Sequence, residues 1–497
     1  VNVVFIINDT WRYDHVGTNG NSWIHTPVLD QFARESAVFD RCYLGSFATV
    51  PIRHDLIKGR YGAPFHDWGP LEWDALTLPE ILRDEGVVTM LINDTPHLIN
   101  FGYGFDRPFH AWEMVRGNEV DRWRTDYFKE LELPDVSKFR SSPGMAQWYR
   151  QAKDRRTEED YCAPRVMKAV CDWLERNCGH DRFFLWVDSF DPHEPWDPPQ
   201  HYVDMYAPGY KGNSIFWPQY GKSSEMFTPK EQAHIGHLFA GECTMADAHI
   251  GRVLEKIDNL GLRDETMVII MSDHGHYFGE HDQQSKSGPL YEEVSHQFLM
   301  IRHPEGIAAG KRFQALVQPA DFLPTVLDAL GIDIPEEVNT QGDSWLSLMR
   351  GDSRSLRSAA ISGENPSYID IEDAAGRGVP GTAGYDRSGW TPVTVTGSEY
   401  ALIDFPDREQ WALYHLPSDI GMTRNIVADH AMEAESLHAE LLQFLERTNA
   451  PNWMRRLWTD GPEDIDLPAK TAFRMCIDKR GRPLSSTPLD GHIFSAK

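Results

Sequence analysis

Disulfide chemistry has little to work with in this chain. Six cysteines (Cys42, Cys162, Cys171, Cys178, Cys243 and Cys476) are scattered over 497 residues, and none forms a Cys-x-x-Cys pair. A chain this long needs no disulfide framework for stability, so these read as free thiols in a reducing compartment. Positive charge is also scarce. Lys and Arg number 48 against 75 Asp and Glu, a formal net charge of −27. That argues against nucleic acid and anionic membrane as partners. It leaves room for a small anionic substrate, because a local cationic pocket can sit in an acidic protein. No apolar run approaches the roughly 20 residues a membrane-spanning helix requires. The opening "VNVVFIINDTWR" lacks a basic n-region and a cleavage site. The expectation is a cytoplasmic protein with no signal peptide. Internal repeats and low-complexity segments are missing too.

What the chain does have is core material, 41% hydrophobic residues. That suits one large α/β domain with a smaller companion. "VNVVFIIND" is β-branched and apolar, the pattern of a buried strand in a parallel sheet. "TPVLDQFARESAVFD" reads as a helix with Thr26 as N-cap and Pro27 in its first turn. "LTLPEILRDEGVVTMLIND" is helix then strand. "RFFLWVDSF", "ETMVIIMSD" and "HQFLMIRHP" are further strands, and a long amphipathic helix runs up to Gly261. Strands alternating with helices predict a three-layer α/β/α fold with a large, mostly parallel sheet. This domain is expected over residues 1–375. A small C-terminal antiparallel sheet plus helix is expected over 376–449. A Trp- and Pro-bearing tail over 450–497 would be available for oligomer contacts.

In open α/β sheets the ligand lies beyond the carboxyl ends of the strands. Acidic and imidazole residues gather at those ends here: Asp9, Asp94, His97, Asp188, Asp191, His193, Asp273 and His274. One Asp-His pair at a strand end is usually a capped turn. Asp9 at an equivalent position tips the reading toward a divalent cation, Mn, Ca or Zn, held by Asp9, Asp273 and His274. The stretch "FATVPIRHDLIKGR" places a hydroxyl at Thr49, with Arg53 one helical turn on. Alone, Thr49 reads as a turn residue; beside a cation its hydroxyl becomes a nucleophile and a fourth metal contact. Lys286 and His193 suit a tetrahedral oxyanion or its leaving group.

In combination these segments resemble the sulfatase family of the alkaline phosphatase superfamily. "IINDTWRYDHVG", "TVPIRHDLIKGR", "DPHEPW", the run ending in "MSDHG", "KSGPLYEE" and "WALYHLPSDIGMTRNIV" occur in the family's order. The resemblance implies Asp9, Asp273 and His274 as metal ligands and Thr49 at the nucleophile position, supported by Arg53. It implies His193 and Lys286 at the substrate's charged oxygens. By analogy with the family, a homo-oligomer is expected. Three departures stand out. The family's Cys or Ser, converted to formylglycine, is Thr49, so no formylglycine is expected. Thr10 replaces a second metal-binding Asp. The Gly-Lys-x-His segment reads "NDTPHL", leaving Asp94 and His97 as substrate-binding candidates.

Thr has no second hydroxyl with which to eliminate a sulfated intermediate. A hydrolase of phosphate or phosphonate esters, diesters included, or of sulfate esters through Thr49 is therefore the first expectation. Its alternatives are a sulfuric ester hydrolase scaffold working without formylglycine, and a non-catalytic binding relative.

Overall fold

The computed structural model describes residues 1–62, 68–126, 136–140, 142–364, 368–369 and 389–462. Along the first part of the chain come β1 (Asn2–Asn8), α1 (Pro27–Arg34), β2 (Ala37–Tyr43), α2 (Thr49–Lys58), α3 (Leu78–Asp84), β3 (Val88–Asn93) and β4 (Ala111–Met114). Then follow α4 (Cys162–Asn177), β5 (Phe183–Ser189), α5 (Pro229–Asn259), β6 (Thr266–Ser272), β7 (His296–Arg302), β8 (Arg312–Phe313) and α6 (Phe322–Leu330). The eight strands form one sheet in the order β8-β2-β7-β6-β1-β5-β3-β4. Only β7 runs against the rest.

Side-chain alternation along β1 separates two cores. Val4 and Ile6 pack with α1, α4 and α5, whereas Val3, Phe5 and Ile7 pack with α2, α3 and α6. Because the sheet is covered on both faces, its central strands are apolar through most of their length, with polar residues mainly at their ends. This is the three-layer α/β/α architecture expected from the sequence.

The register aligns the strand ends. Asn8 of β1 lies beside Ser189 of β5 and Ser272 of β6, and Asn93 of β3 lies beside Asp188. The next residues, Asp9, Asp94 and Asp273, therefore emerge on one edge of the sheet. Each still donates its backbone N–H to a neighbouring strand end.

Two sequence expectations shift. The helix beginning at Pro27 stops at Arg34, and "AVFDRCY" becomes β2. Its β-branched and aromatic residues pair with β7 where the helical reading had run on. The small antiparallel sheet begins at β9 (Ala360–Gly363), upstream of residue 376, and continues through β10 (Val393–Thr396), β11 (Tyr400–Asp404) and β12 (Ala412–His415). Helix α7 (Ala431–Arg447) covers it, and α8 (Asn452–Thr459) packs Met454, Leu457 and Trp458 into the same core. The first part of the expected tail is thus integral to this unit. Residues 463–497, and with them the remainder of that tail, lie outside the described residues. The described cysteines are all free thiols. Among the described residues no helix is long and apolar enough to cross a membrane.

Candidate active site

Thr49 is the first residue of α2, so it stands at the positive end of a ten-residue helix. Pro51 fits the first turn because its missing N–H has no intrahelical partner to lose. Gly59, at φ 63°, ends the helix in the left-handed conformation. The loop before Thr49 is pinned from two directions. Asp55 accepts hydrogen bonds from the Ser46 N–H (2.8 Å), the Ser46 hydroxyl (2.6 Å) and the Gly62 N–H (2.6 Å). Gly363, the last residue of β9, exchanges backbone hydrogen bonds with Gly45 and Phe47, each 2.9 Å. The small C-terminal sheet therefore holds the loop that carries Thr49.

Asp9, Asp273 and His274 bring one ligand atom each to within 4.8 Å of one another, all buried. His274 Nδ1 lies 3.0 Å from the Gly275 carbonyl oxygen. That oxygen can only accept, so Nδ1 carries the proton and Nε2 presents its lone pair. Nε2 is 3.7 Å from Asp9, 3.6 Å from Asp273 and 3.5 Å from the Thr49 hydroxyl. Burial lowers His274 to about 4, which keeps the imidazole neutral. Asp9 Oδ2 is buried and accepts no hydrogen bond. Two carboxylates, a neutral imidazole and an unsatisfied buried oxygen fit a hard divalent cation. Among the described residues no other such group occurs. Gly275 has no alternative at its position, because a Cβ there would stand 2.0 Å from the Glu293 carbonyl oxygen.

Arg53 lies at the centre of the cluster. It donates to both Asp188 oxygens (3.1 and 2.9 Å), to the Thr49 carbonyl (3.1 Å) and to Asp273, with Asp9 at 3.4 Å. Burial opposes its charge, but Asp188, Asp273 and Asp9 outweigh that and hold the guanidinium above its ordinary range. Lys286 follows the short strand Gln283–Ser285 and donates to the Thr10 hydroxyl (3.1 Å), 4.0 Å from Asp9. Thr10 has φ 64°, a strained conformation for a β-branched residue. In that conformation its N–H reaches Asp273 (2.8 Å) and its hydroxyl reaches Asp9 (2.7 Å). Thr10 thus orients two carboxylates without being one.

His193 is buried, and its Nδ1 donates to the Glu194 carbonyl at 2.5 Å. Burial drives it well below the ordinary imidazole range, so Nε2 is left as an acceptor. Asp94 and His97 are placed differently. Asp94 accepts from the Phe190 N–H (2.7 Å) and from Asn118 (3.0 Å). His97 pairs with Glu119 at 2.9 Å and nears the cluster only through Phe190, whose ring stacks on His193. Other acidic and imidazole residues near the strand ends are engaged elsewhere: Asp188 with Arg53, Asp191 with the Ala163 N–H and Asn118, and His296 with Glu292 and the Asp40 carbonyl. Thr10, Glu194 and the salt-bridging role of Asp188 were not visible as such in the sequence, since each contact spans a long stretch of chain.

Comparison with known proteins follows the same lines. The Sulfatase family matches residues 1–332. An N-acetylglucosamine-6-O-sulfatase of Bacteroides thetaiotaomicron is 22% identical over 90% of this chain and 86% of its own. Arylsulfatase K of Xenopus laevis is 32% identical over 73% of this chain and 68% of its own. Among solved structures, the phosphonate monoester hydrolase of Agrobacterium radiobacter superposes with a TM-score of 0.70 at 20% identity, covering 90% of this chain and 96% of that one. The chain belongs to the sulfatase family of ester hydrolases.

Proposed function

We propose that this protein is a metal-dependent hydrolase of small anionic phosphorus esters, phosphonates and phosphodiesters foremost, with Thr49 as nucleophile. The observation that carries the reading is the Thr49 hydroxyl 3.5 Å from His274 Nε2, at a helix N-terminus and beside the Asp9–Asp273–His274 group. A divalent cation, Mn, Ca or Zn, held by Asp9, Asp273 and His274 would supply Lewis-acid charge that acidifies a hydroxyl beside it and offsets oxyanion charge. Thr49 Oγ1, its proton given up to solvent, attacks phosphorus and the bond to the leaving oxygen breaks, which leaves a phospho-Thr49 ester. The Lys286 ammonium faces the oxyanions and can protonate the leaving oxygen. His193 enters as a base, because its only N–H is engaged by Glu194 and its free nitrogen accepts. It takes a proton from the water that attacks phosphorus, and the P–Oγ1 bond breaks as Thr49 Oγ1 regains a proton from solvent. This step replaces the elimination for which Thr49 has no second hydroxyl.

Sulfate esters are the second reading, and the names of the sulfatase relatives favour it. The test is hydrolysis of matched p-nitrophenyl sulfate, phosphate monoester, phosphodiester and phosphonate with each of the three metals, on wild type and Thr49→Ala. Phosphorus-ester turnover that vanishes in Thr49→Ala is the expected result. Turnover surviving that change would make water the attacker and Thr49 a spacer. Sulfate turnover alone would move the substrate class to the second reading.

A further inference from the structure

The Glu194 carboxylate has no part in the steps above, yet it lies against both groups assigned to the substrate. Its side chain is fully buried. One carboxylate oxygen accepts from Arg140 (2.8 Å) and from the Tyr220 hydroxyl. The other accepts no hydrogen bond and lies 3.6 Å from Lys286 Nζ and 3.4 Å from His193 Nδ1. Its backbone carbonyl fixes the His193 tautomer. The residues that hold Glu194 are themselves held. Arg140 N–H bonds the Trp217 carbonyl (3.1 Å) and Gln219 N–H the Lys138 carbonyl (2.8 Å). Gly221 and Lys222, next to Tyr220, pair with Gln284 and Gln283, just before Lys286. Three chain segments thus close a loop of contacts around the Glu194–Lys286 pair.

We propose that Glu194 is a positioning residue that acts through Lys286. A lysine tail is long and its ammonium non-directional, so one hydrogen bond to Thr10 does not fix it. Asp9, only 4.0 Å away, is the competing counter-charge. Drawn onto Asp9, Lys286 would contest a metal ligand and leave the substrate's oxygens. Glu194 supplies a second anchor, and Arg140 and Tyr220 keep that carboxylate in place. The proposal rests on the reading that Lys286 faces the substrate's anionic oxygens.

The experiment is a double-mutant cycle on the responsive p-nitrophenyl ester, comparing wild type, Glu194→Gln, Lys286→Ala and the double variant, with thermal melting of each. Glu194→Gln is expected to lower kcat/KM about 10- to 100-fold with folding intact, but less than about threefold once Lys286 is already Ala. Tyr220→Phe, which removes one hydrogen bond to the carboxylate, should lose a few-fold (about 3 to 5) in the same direction and carries the test if Glu194→Gln does not fold. Losses that simply multiply in the double variant, or full activity in Glu194→Gln and Tyr220→Phe, overturn the positioning role. Full activity in Lys286→Ala overturns instead the reading on which it rests.

Discussion

Asp9 and Asp94 leave the same edge of the same sheet, one strand apart, and both are fully buried. Their surroundings separate them. Asp9 keeps one oxygen without a hydrogen bond and faces Asp273, His274, Arg53 and Lys286. Asp94 has a protein donor on each oxygen and shares Asn118 with Asp191. Burial, with the nearby Asp191 charge adding to it, raises the Asp94 carboxyl well above its usual range. The fold thus leaves an oxygen of Asp9 open to a cation, while donors close around both oxygens of Asp94.

That contrast can be broken by experiment. Asp9→Asn should cost turnover on the order of 1,000-fold or more, because it removes a ligand and a charge together. Near-normal activity in this variant would dissolve the distinction. Next in size is chelation. Stripping the metal should lower the wild-type melting temperature by about 5 °C and leave Asp9→Asn unmoved, since only a site that binds the ion gains stability from it. Asp94→Asn should respond to chelator as wild type does.

The pH dependence is a finer test. His274 is a base whose folded pKa is depressed, to about 4, by burial. Its neutral form is present above that value and is lost as pH falls through it. Metal affinity, measured by titration between about pH 5.5 and 8, should therefore lack the step near 6.5 of an ordinary imidazole ligand. A full step there would contradict the site's geometry. The smallest effect belongs to Asp94→Asn, with turnover within about threefold of wild type. For an acid whose folded pKa is raised, the stability it contributes is present at low pH and lost as pH climbs. Wild type should then lose melting temperature as pH rises from about 4, the unfolded carboxyl value, and Asp94→Asn should lose less. A loss of 100-fold or so in Asp94→Asn would instead put Asp94 in substrate binding.

Much of the fold was legible. The apolar runs that became β1, β3, β5, β6 and β7 are nearly uninterrupted, and each ends where polar residues begin. The order of motifs placed Asp9, Thr49, Arg53, Asp273 and His274 on neighbouring ends. Errors came where local signals compete with distant partners. Thr26 looks like the cap of α1, but its hydroxyl accepts from the Gly17 N–H instead. The cap is Asp247 of α5, which accepts from the Val28 and Leu29 N–H groups at 3.0 and 2.8 Å. The N-cap of α5 is Thr228, where a capping box with Glu231 closes over Pro229.

The sequence by itself determined the layers, the strand ends and the identities of the chemical groups, because periodicity and side-chain type are local properties. The tertiary structure alone decided which of those groups act together. It gave Thr10 its left-handed backbone, set Arg53 among three carboxylates, tied the Thr49 loop to Gly363 and placed Glu194 against Lys286. Each of these depends on contacts between residues tens to hundreds of positions apart, and in a buried, weakly screened interior their distances set the strength of every charge interaction.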